Sequence, residues 1–137
     1  MDERAQASLD EEPSALASAM GVHLTEWRDG FVRLEAPVQP WQMNRSHIVH
    51  GGIAAAMIDM GCGFAGLYTP PGAPKKHALT LSLTVQFTGQ ASAGLMVCEG
   101  RIKTRGRRVF FTEATLWVDG GDMLAFGSGT FRLRSGR

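Results

Sequence analysis

From His50 to Tyr68 the chain reads HGGIAAAMIDMGCGFAGLY. At about 100° per residue, Ile53, Met57, Met60, Phe64 and Leu67 share one face of a helix. The opposite face holds Gly52, Ala55, Ala56, Cys62, Gly63 and Gly66, and among them one charge, Asp59. A surface helix turns lysines and glutamates to water on that side. Here small residues surround a lone carboxylate, an arrangement that lets another backbone or a ligand come close. The second face is therefore expected to be covered as well. A carboxylate so placed is costly to bury unless it is paired, so Asp59 reads as a working acid.

On the N-terminal side, Pro13 opens a short helix, Ser14 to Met20, closed by Gly21. Val22, Leu24 and Glu26 then alternate with His23, Thr25 and Trp27. Asp29-Gly30 makes a hairpin turn, and Phe31 to Ala36 returns as a strand. A loop from Trp41 to Val49 leads into the long helix, which Pro70, Pro71, Gly72 and Pro74 end. On the C-terminal side strands follow one another. In the stretch from His77 to Phe87, Leu79, Leu81, Leu83, Val85 and Phe87 are expected to point one way. Ala78, Thr80, Ser82, Thr84 and Gln86 are expected to point the other way. Ala93–Lys103 and Arg107–Val118 form a hairpin around Arg105-Gly106, and Gly120-Gly121 turns into a last strand, Met123–Leu133. The outline predicts an α+β fold: one long antiparallel sheet with a single buried helix across it. Residues 1–12 are expected to be flexible and 13–137 to form one domain.

A chain of 137 residues with a net charge of +1 can build one real core and gives no reason to expect nucleic acid as a partner. No apolar run is long enough to span a membrane. The start, MDERAQASLDEEP, has no signal-peptide core, so the expected location is cytoplasmic. Cys62 and Cys98 each sit in an apolar segment and lack metal-ligand spacing; two buried free thiols are expected.

The candidate site is built around the long helix. The first amides of a helix lack internal partners and carry its positive end. Gly51 has no side chain to block its own N–H, so this end can hold a carbonyl oxygen as it becomes negative; the alternative is a plain glycine-rich turn. Asn44 can give that oxygen a second donor, or simply order its loop. His50 is either a structural hydrogen-bonder or a proton donor to a leaving group. Asp59 can activate water or attack a carbonyl directly; the alternative is an aspartate capping a backbone amide. Thr80 can orient the water, or be a strand threonine with no further role. Arg101, Lys103, Arg105, Arg107 and Arg108 gather around one turn, either as a solvated strand edge or as a phosphate site. Gly51 and Asp59 are eight residues apart, ~12 Å along one helix, so one carbonyl cannot touch both. Either they do separate jobs, or the helices of two chains run antiparallel so that each Gly51 meets the other chain's Asp59, giving two equal sites in a twofold dimer.

Asn44, His50-Gly51-Gly52 and Asp59 in this spacing, followed by the strand Leu79–Phe87, resemble the PaaI-like acyl-CoA thioesterases of the hotdog fold. The likeness covers roughly residues 22–133 and includes the Gly120-Gly121 turn and Gly127-x-Gly129-Thr130. It implies a long antiparallel sheet wrapped around one helix, dimers whose sheets join edge to edge, and often tetramers. It implies hydrolysis of acyl-CoA to a carboxylic acid and free CoA, with no metal and no cofactor beyond the CoA of the substrate. By position it gives Asp59 as general base or nucleophile, the Gly51 N–H and Asn44 as carbonyl polarisers, and Thr80 as the hydroxyl that orients water. His50 matches the family histidine. Gly52, Met60, Arg105, Arg107 and Arg108 are the expected substrate contacts, the arginines for CoA phosphates. The segment Thr88-Gly89-Gln90-Ala91 lacks a proline often found there. Two other readings remain: an acyl-CoA-binding module without turnover, and an enoyl-CoA hydratase. The hydratases carry a histidine five residues after their aspartate, where this chain has Phe64.

Overall fold

The computed structural model describes residues 13–135; the expected flexible segment 1–12 lies outside them. Helix α1 (Ala15–Met20) is capped by the Ser14 hydroxyl, which accepts the Ala17 N–H, and closed by left-handed Gly21. Strands β1 (His23–Arg28) and β2 (Phe31–Pro37) turn at Asp29-Gly30, where Gly30 has φ 79°. Helix α2 (Gly51–Ala65) follows a loop, and then come β3 (Ala78–Phe87), β4 (Leu95–Arg105), β5 (Val109–Val118) and β6 (Met123–Leu133). The six strands form one sheet in the order β1-β2-β4-β5-β6-β3, with every neighbouring pair antiparallel. The expected α+β architecture is the observed one, and helix α2 packs across one face of the sheet, against β2, β3, β4, β5 and β6.

The small residues of α2 do a different job from the one expected. Ala54, Gly61, Cys62, Gly63 and Ala65 are buried together with Met57 and Ile58, against the chain's own sheet. A Cβ on Gly61 would stand 2.7 Å from Cys98 Sγ, and one on Gly100 would stand 2.0 Å from the Gly61 carbonyl oxygen. Gly100 lets strand β4 come up against the helix backbone at Gly61, and Gly61 in turn leaves room for the Cys98 side chain. The bulkier side, Ile53, Met60, Phe64 and Leu67, is only half-buried.

Helix α2 also stops earlier than expected, at Ala65 rather than Tyr68. The C-cap is Gly66, whose N–H donates to the Gly63 and Phe64 carbonyls; a Cβ there would fall 2.2 Å from the Phe110 ring, so no side chain fits at that position. The indole N–H of Trp27 donates to the Phe64 carbonyl at 2.9 Å, filling one of the acceptors that a helix end leaves open.

The alternation in β3 is broken once. The pairing with β6 shifts register between Thr80 and Ser82, leaving Leu81 as the extra residue of a bulge. Thr80 pairs with Phe131 and Leu83 with Gly129, and both partners face the helix. Thr80 therefore shares the inner face with Leu83, Val85 and Phe87, while Leu79 lies on the outer face with Arg132. Sequence periodicity placed Thr80 on the opposite side, because a one-residue insertion inverts the facing. Strand β3 is also an edge of the sheet, and it exposes Leu79, Leu81 and Phe87 by more than half.

Candidate active site

The bulge brings Thr80 to Asp59. The Thr80 hydroxyl donates to Asp59 Oδ1 at 2.8 Å, linking the middle of α2 to the open edge strand. Asp59 is half-buried rather than enclosed. Its second oxygen is free for a proton or an electrophile: among the described residues, Oδ2 has no hydrogen-bond donor.

At the start of α2, His50 is the N-cap, and its Nδ1 accepts the Gly52 N–H at 2.8 Å. That bond places the proton of a neutral imidazole on Nε2. The carbonyl of His50 accepts from Ile53 and Ala54, and its own N–H donates to the buried Gln42 carbonyl at 2.8 Å. Gly51 is left over: among the described residues its N–H has no acceptor. The Phe87 ring lies beside it, 3.4 Å from where a Gly51 Cβ would be. Sequence reasoning gave Gln42 no part in this arrangement, and nothing in its local pattern marks it.

Asn44 holds the preceding loop. Its Oδ1 accepts the N–H groups of Ser46 and Ile48 at 2.8 and 3.3 Å, which admits His47 at φ 59°. The carbamoyl oxygen is thus committed to loop order, and the Nδ2 amide remains as a donor. Met60 is half-buried beside Asp59, and the exposed Gly52 gives its N–H to His50.

The basic residues separate. Arg105 pairs with Asp29 at 3.2 Å. Arg105 and Arg107 border a cavity of about 160 Å³ with Gly66 and Phe110, at the C-terminal end of α2. Arg108 turns into a different cavity. The structure thus joins Asp59 to Thr80 and His50 to Gly52. It keeps Gly51 ~12 Å along the helix from Asp59 and sets the arginines beyond the other helix end. Both cysteines are free and buried. Burial pushes the Cys62 thiol up to about 11, with the carboxylates of Asp59 and Glu113 adding to the shift. Burial raises Cys98 as well.

A sequence model of the thioesterase superfamily matches residues 46–125, more than half of the chain and all of α2. The protein belongs to the thioesterase superfamily. Among its relatives, the Pseudomonas aeruginosa protein PA0474, which carries an esterase name, is 30% identical over 91 residues, 66% of each chain. The thioesterase HI1161 of Haemophilus influenzae superposes with a TM-score of 0.77 at 14% identity, covering 88% of this chain and 83% of that one. BH2602 of Bacillus halodurans, solved with CoA, superposes with a TM-score of 0.77 at 25% identity, covering 93% and 83%. Membership in this superfamily supports a hydrolase of acyl thioesters. No helix among the described residues is long and apolar enough to cross a membrane.

Proposed function

We propose that this thioesterase-superfamily protein hydrolyses acyl-CoA to a carboxylic acid and free CoA, with Asp59 as its acid–base or nucleophilic group. The observation that carries the reading is an accessible carboxylate fixed on one oxygen by Thr80 and free on the other. A helix amide, Gly51 N–H, stands without an acceptor at the end of the same helix. In the reaction a water attacks the thioester carbonyl and gives its proton to Asp59. The Gly51 N–H and Asn44 Nδ2 hold the oxygen as it becomes negative, and the carbon–sulfur bond breaks to release the CoA thiolate, which takes up a proton. Donors aimed at developing charge supply a large share of such a rate enhancement.

Within one chain Gly51 and Asp59 are too far apart to share a carbonyl. The reading therefore includes a twofold dimer, joined along β3, in which Asp59 faces Gly51 of the partner subunit; a dimer of dimers keeps the same sites. Among the described residues nothing pairs with the outer edge of β3, and its exposed leucines support this, because natural sheets rarely leave so long an apolar edge uncovered. The relative solved with CoA supports the choice of substrate. The reduced, buried thiols accord with a cytoplasmic location. The test is CoA release from a panel of acyl-CoAs, followed by free-thiol detection, for wild type and Asp59→Ala. Loss of at least ~10²-fold in the variant is expected. Equal rates would take Asp59 out of the mechanism, and saturable binding without release would make the protein a carrier.

A further inference from the structure

Phe87 points to the inner face of the sheet, where side chains meet the helix, yet it is 58% exposed. Its partner in β6 is the buried Ala125. Its ring lies against the first residue of α2, 3.4 Å from where a Gly51 Cβ would be. The Gly51 N–H has no acceptor among the described residues. An oxygen held on that N–H would stand ~2.9 Å from the nitrogen. The groups on either side of a carbonyl held there come within reach of the ring.

Thr80 marks the other end of the same strand. Its hydroxyl is bound to Asp59, as Phe87 is packed on Gly51. Strand β3 thus carries one marker for each half of the site. Their spacing is read off β6, which absorbs the bulge at Leu81. The partners of Thr80 and Phe87 are Phe131 and Ala125, and each is three residues from Ser128, the partner of Thr84. A twofold axis through Thr84, perpendicular to the sheet, would set Thr80 of one strand directly opposite Phe87 of its copy. Residues directly opposite in an antiparallel pair share a face, and Thr80 and Phe87 both point inward. A slip of one residue would set inner side chains against outer ones.

We propose that two copies of β3 pair antiparallel about Thr84, so that Phe87 of the partner subunit walls the site of Asp59 and Thr80 and touches the substrate beside its carbonyl. The proposal rests on the dimeric thioesterase reading above and adds a residue to that site. A ring in this place also keeps water from the Gly51 amide, and a hydrogen bond is electrostatically stronger in drier surroundings.

Subunit mixing tests the arrangement. Asp59→Ala and Phe87→Ala are assayed alone and after reassociation together. Phe87→Ala alone should lose at least ~10-fold in kcat/KM, the scale of one buried aromatic contact. In a mixed dimer one site carries both changes and the other carries neither. The equimolar mixture should therefore rise toward about a quarter of the wild-type rate, since half of its dimers are mixed and each has one intact site. Mixed dimers seen by native mass spectrometry without a gain in activity would overturn the proposal. So would wild-type kcat and KM in Phe87→Ala, or in Phe87→Leu should the alanine variant not fold. An equal loss on every acyl-CoA assigns the contact to the thiol arm, and a loss that varies with the acyl group assigns it to the acyl side.

The register is read without catalysis. The native cysteines are both buried, so Thr84→Cys should cross-link to its own copy under mild oxidation, and Leu79→Cys should not. Cross-linking through Leu83→Cys or Val85→Cys in place of Thr84→Cys would move the axis and overturn the proposal. Failure of every acyl-CoA to turn over would remove the thioesterase reading and leave the cross-linking result standing.

Discussion

Thr80 and Asp59, 21 residues apart in the chain, are joined by a 2.8 Å hydrogen bond between the edge strand and the central helix. The bond exists because Leu81 is an extra residue in β3. Deleting Leu81 should restore regular pairing and turn either Thr80 or the Leu83–Val85–Phe87 set away from the helix. The expected result is loss of turnover with loss of stability, read by thiol release and thermal unfolding. Thr80→Val, which keeps the strand and removes the hydroxyl, should lower kcat with little change in melting temperature.

Gly51 offers a cleaner test of the helix-end donor. It is the first helical residue, a position where proline is well tolerated. His50 before it has φ −62° and ψ 139°, a conformation that suits a residue preceding proline. Gly51→Pro should therefore fold nearly as well as wild type while lacking the amide proton. A fall of roughly 10²-fold or more in kcat is expected, with the melting temperature measured alongside.

His50 caps the helix through Nδ1, and this can be separated from proton donation. His50→Asn keeps a cap acceptor, and His50→Ala removes it. The alanine variant should lose about 1 kcal/mol of stability in denaturant unfolding and the asparagine variant much less. Equal loss of activity in two variants of unequal stability would assign the imidazole to proton transfer.

Gly61 and Cys98 form a packing pair. Gly61→Ala places a methyl group 2.7 Å from Cys98 Sγ and should cost about 1–3 kcal/mol. Adding Cys98→Ala should recover part of that loss, measured as a non-additive double-mutant cycle.

The Cys62 thiol sets a stability change at alkaline pH. Its folded value, about 11, lies above the ordinary 9.0, so the folded state holds its proton longer than the unfolded state does. The stabilisation is fully present below pH 9 and is lost as pH rises from 9 to about 11. The loss is on the order of 2 kcal/mol, and Cys62→Ala should flatten that part of the profile in urea unfolding measured across the range.

Most of the fold was legible because the signals were local and strong. The hairpin glycines, the alternation in the later strands and the long apolar helix each gave an element of the right kind. Asp59 and Thr80 could also be singled out by residue type and pattern. Their contact could not be, because periodicity carries no mark of a bulge and put Thr80 on the wrong face. The end of α2 was misplaced for a similar reason. The prolines are visible in sequence, but the Phe110 ring that requires Gly66 arrives from a distant strand. The crowding of small residues was seen correctly, yet its cause is Gly100 of the chain's own sheet.

The flank of β3, which no described residue covers, has a thermodynamic consequence of its own. Whatever covers that strand contributes its association free energy to the folded state alone, so folding and assembly draw on the same free energy. If the cover is a second copy, the melting temperature becomes a function of protein concentration, and dilution weakens the fold itself.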